Sequence, residues 1–568
     1  MLNKNKGLLS SLLLILPMAF SLTSCSPVND DNLDLSMKTL DFHNTTDMYN
    51  VKDTTLDTYY ETNSTLPYVS VTEFVDSLEG FINTKYMSDS FDTMRNKLTL
   101  SWRSSTYRYE CVFNWNDNTI YVNNIDFFNL RYTASTTNFS KYLSMSKRTT
   151  ANAHSVTYHL NDYNFDILFY KGQCLVPFHI LNTLFCSYFE VQYNGDAYYA
   201  TYDNLNTQSD EIFDEIKTSS LNGKKRSYET ALDNYNHLLF ALDYYYGLKD
   251  DKEITYFKDY ISSDLKDRLL STDINIYNDA LLEFIYTDLN ELHTRVDSFS
   301  FYNYKDDTYD KKSYYGEFWN KYYDSRALLM EDRKNKLGED IPLVRYINNK
   351  AIITFDSFKT GLEDEIYNKD GSIRDDAYLY DTHELMKKCM NEIGNHDEVN
   401  KIIIDLSLNG GGNVGALYRA LGYLTNNDIQ VSSYNSLSGE CLTTYYKVDV
   451  NEDGNYDEND AYTQYKWYVL SGINTFSAAN QYVSIIKNQN IARIIGKTSG
   501  GGMCSILPIA MVDGTNLDIS SNNTARYVKF DGDTYMYNSI EHGIDPDFDL
   551  DYQYFYDDAY LDTFIDSL

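Results

Sequence analysis

Basic side chains are scarce in this chain of 568 residues, where 48 Lys and Arg stand against 83 Asp and Glu and give a formal net charge of −35. Proteins that bind nucleic acid neutralise its phosphates with Lys and Arg, so this balance excludes nucleic acid as a partner. The acidic excess indicates a solvated surface that keeps the protein soluble. Apolar residues make up 43% of the chain, enough for packed cores. The length predicts about two to four structural units.

Metal-binding cysteine pairs and internal membrane spans are also missing. The cysteines after residue 25 show no CxxC spacing, which argues against a zinc site. We expect them to be buried thiols, although Cys174 and Cys186 could pair outside the cell. After the N-terminal residues, no stretch is apolar enough to span a bilayer.

The N-terminus has the pattern of a targeting segment. Lys4 and Lys6 precede an apolar run at 8–20 that is too short for an ordinary membrane span, and small residues then lead to Cys25. This order resembles a bacterial lipoprotein signal peptide over residues 1–25, with an ordinary secretory signal as the alternative. Diacylation at Cys25 would supply the two chains that stable anchoring needs. The resemblance implies attachment to membrane lipid on the extracytoplasmic face of the cell membrane, with 26–59 as a tether.

The periodicity of apolar residues divides the rest of the chain. Residues 60–205 contain short alternating aromatic runs, which predict a β-rich accessory module with a strand–helix unit used twice. Residues 206–296 have helical periodicity, and the polar stretch 297–341 predicts a long connection. From 342 to 568 strands and helices alternate, so this part is predicted to be an α/β domain.

Two turns of the α/β region are candidates for chemistry. A strand ending at Asp405 leads to a glycine turn at 409–412, whose N–H groups could face a phosphate or a developing oxyanion. Residues 410–415 also satisfy GxGxxG, with Asp428 near the offset of a ribose-binding acid, and a plain tight turn is equally compatible. A later strand leads to Ser477 at a helix start, where serine acts as a nucleophile or as an N-cap.

Two further segments contain titratable candidates. His293 follows an apolar helical stripe and could simply interact with the C-terminus of that helix. Glu541 lies in 540–547, which could be a surface turn. Neither residue indicates a function by itself.

In chain order, these four segments resemble peptidase family S41. The resemblance lies in His293-Thr294, in Asp405-Leu406 with Asn409 and Gly411-Gly412, in Ser477-Ala478, in the turn 496–501 and in the ending 543–547. It covers about residues 275–295 and 343–550. It implies a ClpP/crotonase-like α/β peptidase core, here preceded by the helical segment and the β-rich module. It also implies a serine protease, a hydrolase that cleaves peptide or protein substrates without a catalytic cofactor, and the N-terminal signal implies that this protease is exported.

The family has two catalytic versions. One pairs its serine with a lysine in the glycine turn after the helix, but here Gly501 stands at that place and Lys497 does not align. The other, found in tricorn-core and retinoid-binding-protein-like members, uses an upstream histidine and a downstream glutamate. The resemblance therefore implies Ser477 as nucleophile, His293 as general base and Glu541 as the group that orients the imidazole, directly or through a further group. A glutamate partner would raise the pKa of His293 above about 6.5.

The resemblance implies an oxyanion hole made by the N–H groups of Gly411 and Ala478. Three positions depart from the family pattern: Ser407 replaces an arginine, Asn480 a glutamate and Leu292 a serine before the histidine. The stretch between the histidine and the first core strand is also too short for a PDZ domain.

Two other functions remain open. A catalytically inactive relative could act as a peptide-binding or scaffold lipoprotein, although serine, histidine and glutamate are all present. A nucleotide-binding protein could be built on 410–415, but export and the protease motifs around that turn argue against it.

Independently of the family, residues 449–460 have the pattern of a calcium loop. Oxygen-bearing side chains stand at loop positions 1, 3, 5, 9 and 12 and glycine at 6, with aspartate in place of the usual final glutamate. A chance acidic turn is the alternative. We expect a structural Ca²⁺ held by the side chains of Asp449, Asn451, Asp453, Asp457 and Asp460 and by the main-chain carbonyl of Asn455.

Overall fold

The computed structural model describes residues 33–132, 142–303, 309–530 and 532–568. The predicted signal peptide and Cys25 lie outside the described residues. Among the residues described, no helix has the length and apolar character needed to cross a membrane. The six cysteines within these ranges are buried and form no disulfide.

The N-terminal region is β-rich, as predicted, with two short helices. Its strands are β1 (Leu35–Asn44), β2 (Thr54–Glu61), β3 (Tyr68–Ser70), β4 (Met87–Asp92), β5 (Lys97–Arg103), β6 (Arg108–Asn114), β7 (Thr119–Val122), β8 (Leu143–Ala151), β9 (Val156–His159), β10 (Leu168–Tyr170), β11 (Gln173–Pro177), β12 (Phe189–Tyr193) and β13 (Tyr198–Tyr202). Its helices are α1 (Val71–Ser77) and α2 (Phe178–Phe185). One sheet has the order β10-β11-β3-β2-β1-β13-β12 and another the order β4-β5-β6-β7-β9.

The strand–helix unit occurs twice, as β3–α1 and β11–α2. The two strands pair antiparallel with Val176 opposite Val69. The rings of Phe74 in α1 and Phe178 in α2 meet edge to face with centroids 5.7 Å apart. The two copies therefore pack against each other and share one core.

The tether predicted over 26–59 is wrong for its described part. Strand β1 and most of β2 lie there and pair antiparallel from Leu35 opposite Glu61 to Phe42 opposite Thr54. Most side chains of β1 are exposed, so the segment has the composition of a polar linker. The ladder hydrogen bonds and the buried Phe42 nevertheless hold it in the sheet.

Residues 206–296 are mostly helical, as predicted. The helices are α3 (Asp210–Lys217), α4 (Tyr228–Tyr245), α5 (Phe257–Tyr260), α6 (Ser263–Leu269) and α7 (Ile274–Leu282). A π-helix at Glu283–Leu289 continues α7 and ends at Asn290, which has φ 45°. Strand β14 (Arg295–Ser298) follows. π-Helical turns are often found at functional sites, and this one ends just before His293.

The connection predicted over 297–341 is also wrong in part, because it contains the 21-residue helix α8 (Glu317–Leu337). Only Trp319, Tyr322 and Leu329 of this helix are buried. They lie on one narrow stripe at helical spacing. The rest of the helix surface is polar, so the composition of this segment is that of a connecting loop.

The C-terminal region alternates strands and helices, as predicted. Its strands are β15 (Val344–Ile347), β16 (Lys350–Thr354), β17 (Lys401–Asp405), β18 (Ile429–Asn435), β19 (Cys441–Val448), β20 (Lys466–Ser471), β21 (Arg493–Gly496), β22 (Cys504–Ala510), β23 (Asn516–Phe530), β24 (Tyr535–Ser539) and β25 (Phe548–Asp549). Its helices are α9 (Glu363–Ile366), α10 (Thr382–Ile393), α11 (Val414–Gly422), α12 (Ala478–Gln489) and α13 (Asp558–Asp566).

Two sheets organise this region. The first has the order β15-β16-β17-β20-β21-β25 and is parallel from β16 onward. The second has the order β14-β23-β18-β19-β8, with β22 and β24 also paired to β23. Turns after the carboxyl ends of parallel strands meet at one edge, where α/β proteins place their sites.

The predicted boundaries between module, helical segment and peptidase core do not separate independent units. Strand β8, assigned to the N-terminal module, pairs with β19 of the core. One hydrophobic cluster runs from Phe42 through the helices to Ile540. The reason is that the second sheet takes strands from all three parts of the chain, so their apolar faces are buried together.

Candidate active site

Ser477 occupies a sharp turn between β20 and α12. Its backbone has φ 56° and ψ −121°, a conformation that costs a non-glycine residue strain energy. Its side chain makes no capping hydrogen bond to α12, which excludes the N-cap alternative. The hydroxyl Oγ lies 2.9 Å from Nε2 of His293. A strained strand-to-helix turn with its hydroxyl beside an imidazole is the geometry of an activated nucleophile.

His293 is fixed from several sides. Its main-chain N–H donates to Oε2 of Glu291 at 2.7 Å, and its ring lies against Phe476 with centroids 4.8 Å apart. Burial, together with the positive charge of Arg295, lowers the pKa of His293 to about 3. The expectation that a glutamate partner raises this pKa is therefore wrong. The imidazole is neutral near pH 7 and can accept a proton from Ser477.

Glu541 makes no direct hydrogen bond to the imidazole among the described residues, and an interaction through a further group stays a prediction. Its Oε2 accepts a hydrogen bond from the N–H of Met503 at 2.8 Å. Among the described residues, Nδ1 of His293 has no hydrogen-bond partner. Burial raises the pKa of Glu541 to about 8, although the hydrogen bond from Met503 lowers it, and the Glu291 carboxylate adds a smaller increase. The structure therefore contains a Ser477–His293 pair, with the Glu541 carboxyl engaged by the loop after Gly501.

The glycine turn after β17 lies directly against the serine. Gly411 has φ 108°, and a Cβ on it would lie 2.8 Å from Cβ of Ser477. Its N–H donates to Oδ1 of Asn409 at 2.9 Å, so the predicted oxyanion donor already has an acceptor. In the described ranges the N–H groups of Ala478 and Gly412 have none. Ala478 thus remains a possible oxyanion donor, and Gly412 is one that the sequence did not single out.

The lysine version of the site is excluded by two contacts. Nζ of Lys497 lies 2.8 Å from Oδ2 of Asp549 and 2.7 Å from Oδ1 of Asp551. These hydrogen bonds raise the pKa of the lysine. A Cβ on Gly501 would overlap the main-chain oxygen of Glu541. Neither position can therefore supply a neutral amine to Ser477.

The main chain at Phe358 packs closely against the glycine turn. A Cβ on Gly412 would overlap the main-chain oxygen of Phe358, which closes over the turn. Asp428, the candidate ribose-binding acid, instead accepts a hydrogen bond from Ser146 of β8 at 2.8 Å. These contacts argue against the nucleotide-binding alternative.

The predicted calcium loop folds around its own aspartates. Asp449 accepts the N–H groups of Asp453 and Gly454 at 3.1 and 2.9 Å. Asp460 accepts those of Val450 and Asp457 at 2.7 and 2.8 Å, which ties both ends of the loop together. Calcium binding here stays a prediction.

A different group of possible metal ligands lies beside this loop. His383, Glu384 and Glu452 have ligand atoms within 4.8 Å of one another. However, Nζ of Lys387 lies 2.7 Å from Oε1 of Glu452, and His383 Nε2 lies 3.2 Å from the same oxygen. The lysine neutralises the carboxylate that a metal would need, so the group joins the loop to α10 as an ion-pair network.

Glu291 is the functional candidate that the sequence reading missed. It stands two residues before His293, where glutamate takes the place of the aspartate in a DxHT-like motif. Its side chain is buried, and its Oε1 has no hydrogen-bond partner in the part of the chain that the structure describes. The sequence signals that could have found it are this motif position and the presence of an acidic residue at the end of an otherwise apolar helical stripe.

Residues 350–550 match the model of peptidase family S41. This match agrees with the resemblance seen in the sequence, and the matched residues include Ser477 and the oxyanion candidates. No curated protein matches the chain.

Solved structures of several peptidases are similar to the chain at low identity. A putative peptidase from Parabacteroides merdae is 16% identical, over 56% of this chain and 89% of that one, with a TM-score of 0.35. Mature CPAF complexed with lactacystin is 12% identical, over 60% and 97%, with a TM-score of 0.38. A photosystem II D1 C-terminal processing protease is 19% identical over 36% of this chain, with a TM-score of 0.25. The match spans only 42% of the latter protein.

Proposed function

We propose that this protein is a serine endopeptidase in which Ser477 is the nucleophile and His293 the general base. The observation that carries the proposal is the 2.9 Å distance between Oγ of Ser477 and Nε2 of a neutral, buried imidazole. It is supported by the strained backbone of Ser477 and by the S41 match of the surrounding domain.

The reaction needs only groups of this chain and water. Oγ attacks the peptide carbonyl as its proton passes to Nε2 of His293. The carbonyl oxygen becomes an oxyanion within reach of the free N–H of Ala478, joined by that of Gly412. The C–N bond breaks as Nε2 returns the proton to the leaving amine, and an acyl ester remains on Ser477. Water then attacks the ester, again with His293 as base, and releases the second product.

A fluorophosphonate probe tests the proposal without knowledge of the substrate. It should label the wild-type protein at Ser477, and Ser477→Ala should abolish labelling while the melting temperature stays unchanged. Unlabelled wild-type protein would instead favour the inactive, peptide-binding or scaffold alternative. Ser471→Ala, a serine of β20 outside the turn, is a matched control that should keep full labelling.

We further propose that the protein is exported and anchored to the membrane through Cys25, and that 449–460 binds a structural Ca²⁺. The signal-like N-terminus supports the first proposal, and the loop pattern supports the second. In this arrangement the peptidase would act on peptides or proteins outside the cytoplasm.

A further inference from the structure

Helix α8 contacts the segments that carry both residues of the Ser477–His293 pair. On the histidine side, Oδ1 of Asn290 accepts the main-chain N–H of Phe318, in the first turn of the helix, at 3.1 Å. Asn290 stands three residues before His293 and has φ 45°. The N-cap of α8 is Gly316, which has no side chain to bond the free N–H groups of the first turn. Asn290 therefore caps the helix from another part of the chain and joins its end to the histidine segment.

A second set of contacts on the histidine side involves Tyr286. Its ring meets that of Trp319 edge to face with centroids 4.9 Å apart, and its main-chain oxygen accepts the N–H of Gly316 at 2.9 Å. The hydroxyl of Tyr286 accepts the main-chain N–H of Val296, three residues after His293, at 3.2 Å. The first turn of α8 is therefore joined to the chain before and after His293.

On the serine side, Arg326 of α8 holds the glycine turn. Its Nη1 donates to the main-chain oxygen of the buried Leu408 at 2.8 Å. In the described ranges no main-chain N–H bonds this oxygen, so the guanidinium satisfies a buried carbonyl that would otherwise be unpaired. The next residue, Asn409, accepts the N–H of Gly411 with its side chain and that of Phe476 with its main-chain oxygen. A shift of Leu408 would therefore move the glycine turn and the residue before the nucleophile.

Tyr322 joins the same helix to the turn that leads to Ser477. Its main-chain oxygen accepts Nδ2 of the buried Asn474 at 2.8 Å. Its ring meets that of Phe476 edge to face with centroids 5.8 Å apart, and Phe476 in turn lies against the imidazole of His293. The helix thus contacts the strained turn through a hydrogen bond and through an aromatic pair.

We propose that α8 holds the segments of Ser477 and His293 at a fixed distance, with Asn290 and Arg326 as the positioning residues at its two attachments. Phe318, which Asn290 caps, and Arg326 are eight residues apart, or about 12 Å along a helix. A continuous helix keeps that spacing constant, so the two segments cannot move independently while both attachments are intact. The proposal rests on the function proposed above and adds two residues that act on the site through the main chain of others.

Fluorophosphonate labelling of the full chain at several probe concentrations tests the proposal, because it separates the binding constant of the probe from the rate constant of the bound step. Asn290→Gly removes the cap but tolerates the left-handed backbone, and Arg326→Ala removes the donor. Each should lower the rate constant by about tenfold or more and change the binding constant by less than about threefold, because misplaced reacting atoms slow the chemical step. A residue needed only for stability would reduce the folded fraction, measured by circular dichroism, and leave the rate constant of that fraction unchanged.

Conservative variants and matched controls accompany these two. Asn290→Asp still caps a helix and Arg326→Lys still donates to a carbonyl, so each should recover the rate constant to within about threefold of wild type. Lys334→Ala, at an exposed lysine of the same helix, controls for Arg326→Ala. Asn164→Gly, at an exposed asparagine with φ 55°, controls for Asn290→Gly. Both controls should label as wild type does.

The double variant of Asn290→Gly and Arg326→Ala shows whether one helix carries both effects. Loss of either attachment already frees the two segments, so the double variant should be no more than about threefold slower than the slower single variant. Losses that multiply in the double variant overturn the proposal, as do single variants with the wild-type rate constant or conservative variants that recover nothing. The comparison of Arg326→Ala with Arg326→Lys decides by itself if Asn290→Gly fails to fold. Absence of labelling at Ser477 in wild type would instead refute the proposed function itself.

Discussion

The main-chain oxygen of Glu541 lies so close to Gly501 that no side chain fits between them. Gly501 is the position at which the lysine branch of the family would carry its base. The same residue accepts the N–H of Ser477 at 2.9 Å. Gly501 and Glu541 are 40 positions apart, and their close approach leaves no room for the lysine of the serine–lysine version. The same loop holds the main chain of Ser477, the nucleophile of the serine–histidine version.

Gly501→Ala should remove most activity. The new Cβ would overlap Glu541, and the loop that holds Ser477 would have to move; a shift of about 1 Å at a nucleophile can cost about 100-fold in rate. Gly371→Ala is a matched control, because both glycines have φ 82° but nothing lies within 4 Å of a Cβ on Gly371. The control should lose only about 1 kcal/mol of stability and keep its labelling rate. Equal labelling rates in the two variants would contradict this explanation.

Substitution of each candidate base in turn should show that His293, and not Lys497, accepts the proton of Ser477. His293→Ala should lower fluorophosphonate labelling by about 100-fold or more, because Ser477 then has no proton acceptor. Lys497→Ala should stay within about threefold of wild type, since its amine is held by Asp549 and Asp551. Rates of labelling and of peptide hydrolysis measure both variants. The reverse ranking would refute His293 as the base.

Activity should persist at moderately acidic pH. An unperturbed imidazole titrates near about 6.5, but burial and Arg295 lower the pKa of His293 to about 3. The base therefore stays neutral, and the initial labelling rate should be level from pH 7 to about pH 5. A half-maximal rate near pH 6.5 in folded protein would show that the imidazole is not shielded in this way.

The buried histidines should nevertheless destabilise the folded protein over the same acidic range. The buried His237 and His293 each have a pKa lowered to about 3, and that of His179 is lowered as well. Below about pH 6.5 these three histidines bind protons in the unfolded chain but not in the folded chain, so their contribution to the free energy of unfolding decreases as the pH drops toward 3. The buried carboxyls of Glu190 and Glu541, whose pKa values are raised to about 8, contribute with the opposite sign, so the histidine contribution is measured as the difference between wild type and a histidine variant. Thermal melts at several pH values would show this, and the loss should be smaller in His237→Gln.

One Ca²⁺ ion should bind per chain, at residues 449–460. Calorimetric titration to millimolar Ca²⁺ should show one site, and Asp449→Ala should remove it, because that aspartate supplies the first ligand of the loop. Ca²⁺ should also raise the melting temperature of wild type, as any ligand selective for the folded state does. Asp370→Ala, at an exposed aspartate in a turn with Ser372, should bind as wild type does. Absence of heat with wild type, and of metal in a calcium-soaked crystal, would reject the site.

Cys25 should anchor the protein to the membrane. Native protein should partition into the detergent phase, and Cys25→Ala should shift it to the aqueous phase, because the lipid chains would be lost. Cys441→Ala, at a cysteine of β19, controls for the removal of a thiol and should partition as wild type does. Equal partitioning of native protein and the Cys25→Ala variant would exclude lipidation.

Short sequence patterns predicted the helices, strands and turns whose ends depend on hydrogen bonds between neighbouring residues. Asp381 caps α10 and Gly394 follows its last residue, positions that can be read from the sequence because a cap bonds N–H groups only two or three residues away. The strand, the turn and the helix around Ser477 follow from similar short-range patterns. The order of the S41 motifs predicted the family of the core and the two residues of the Ser477–His293 pair.

Only the tertiary structure decided what depends on residues far apart in the chain. His293 and Ser477 meet across 184 positions, and no spacing in the sequence encodes that distance. The carboxyl of Glu541 binds Met503 instead of the imidazole, because a side chain takes the donor that packing brings nearest. Strand β1 and helix α8 were missed because each buries only a narrow face. Their polar composition is that of a linker, and the partners that order them come from other parts of the fold.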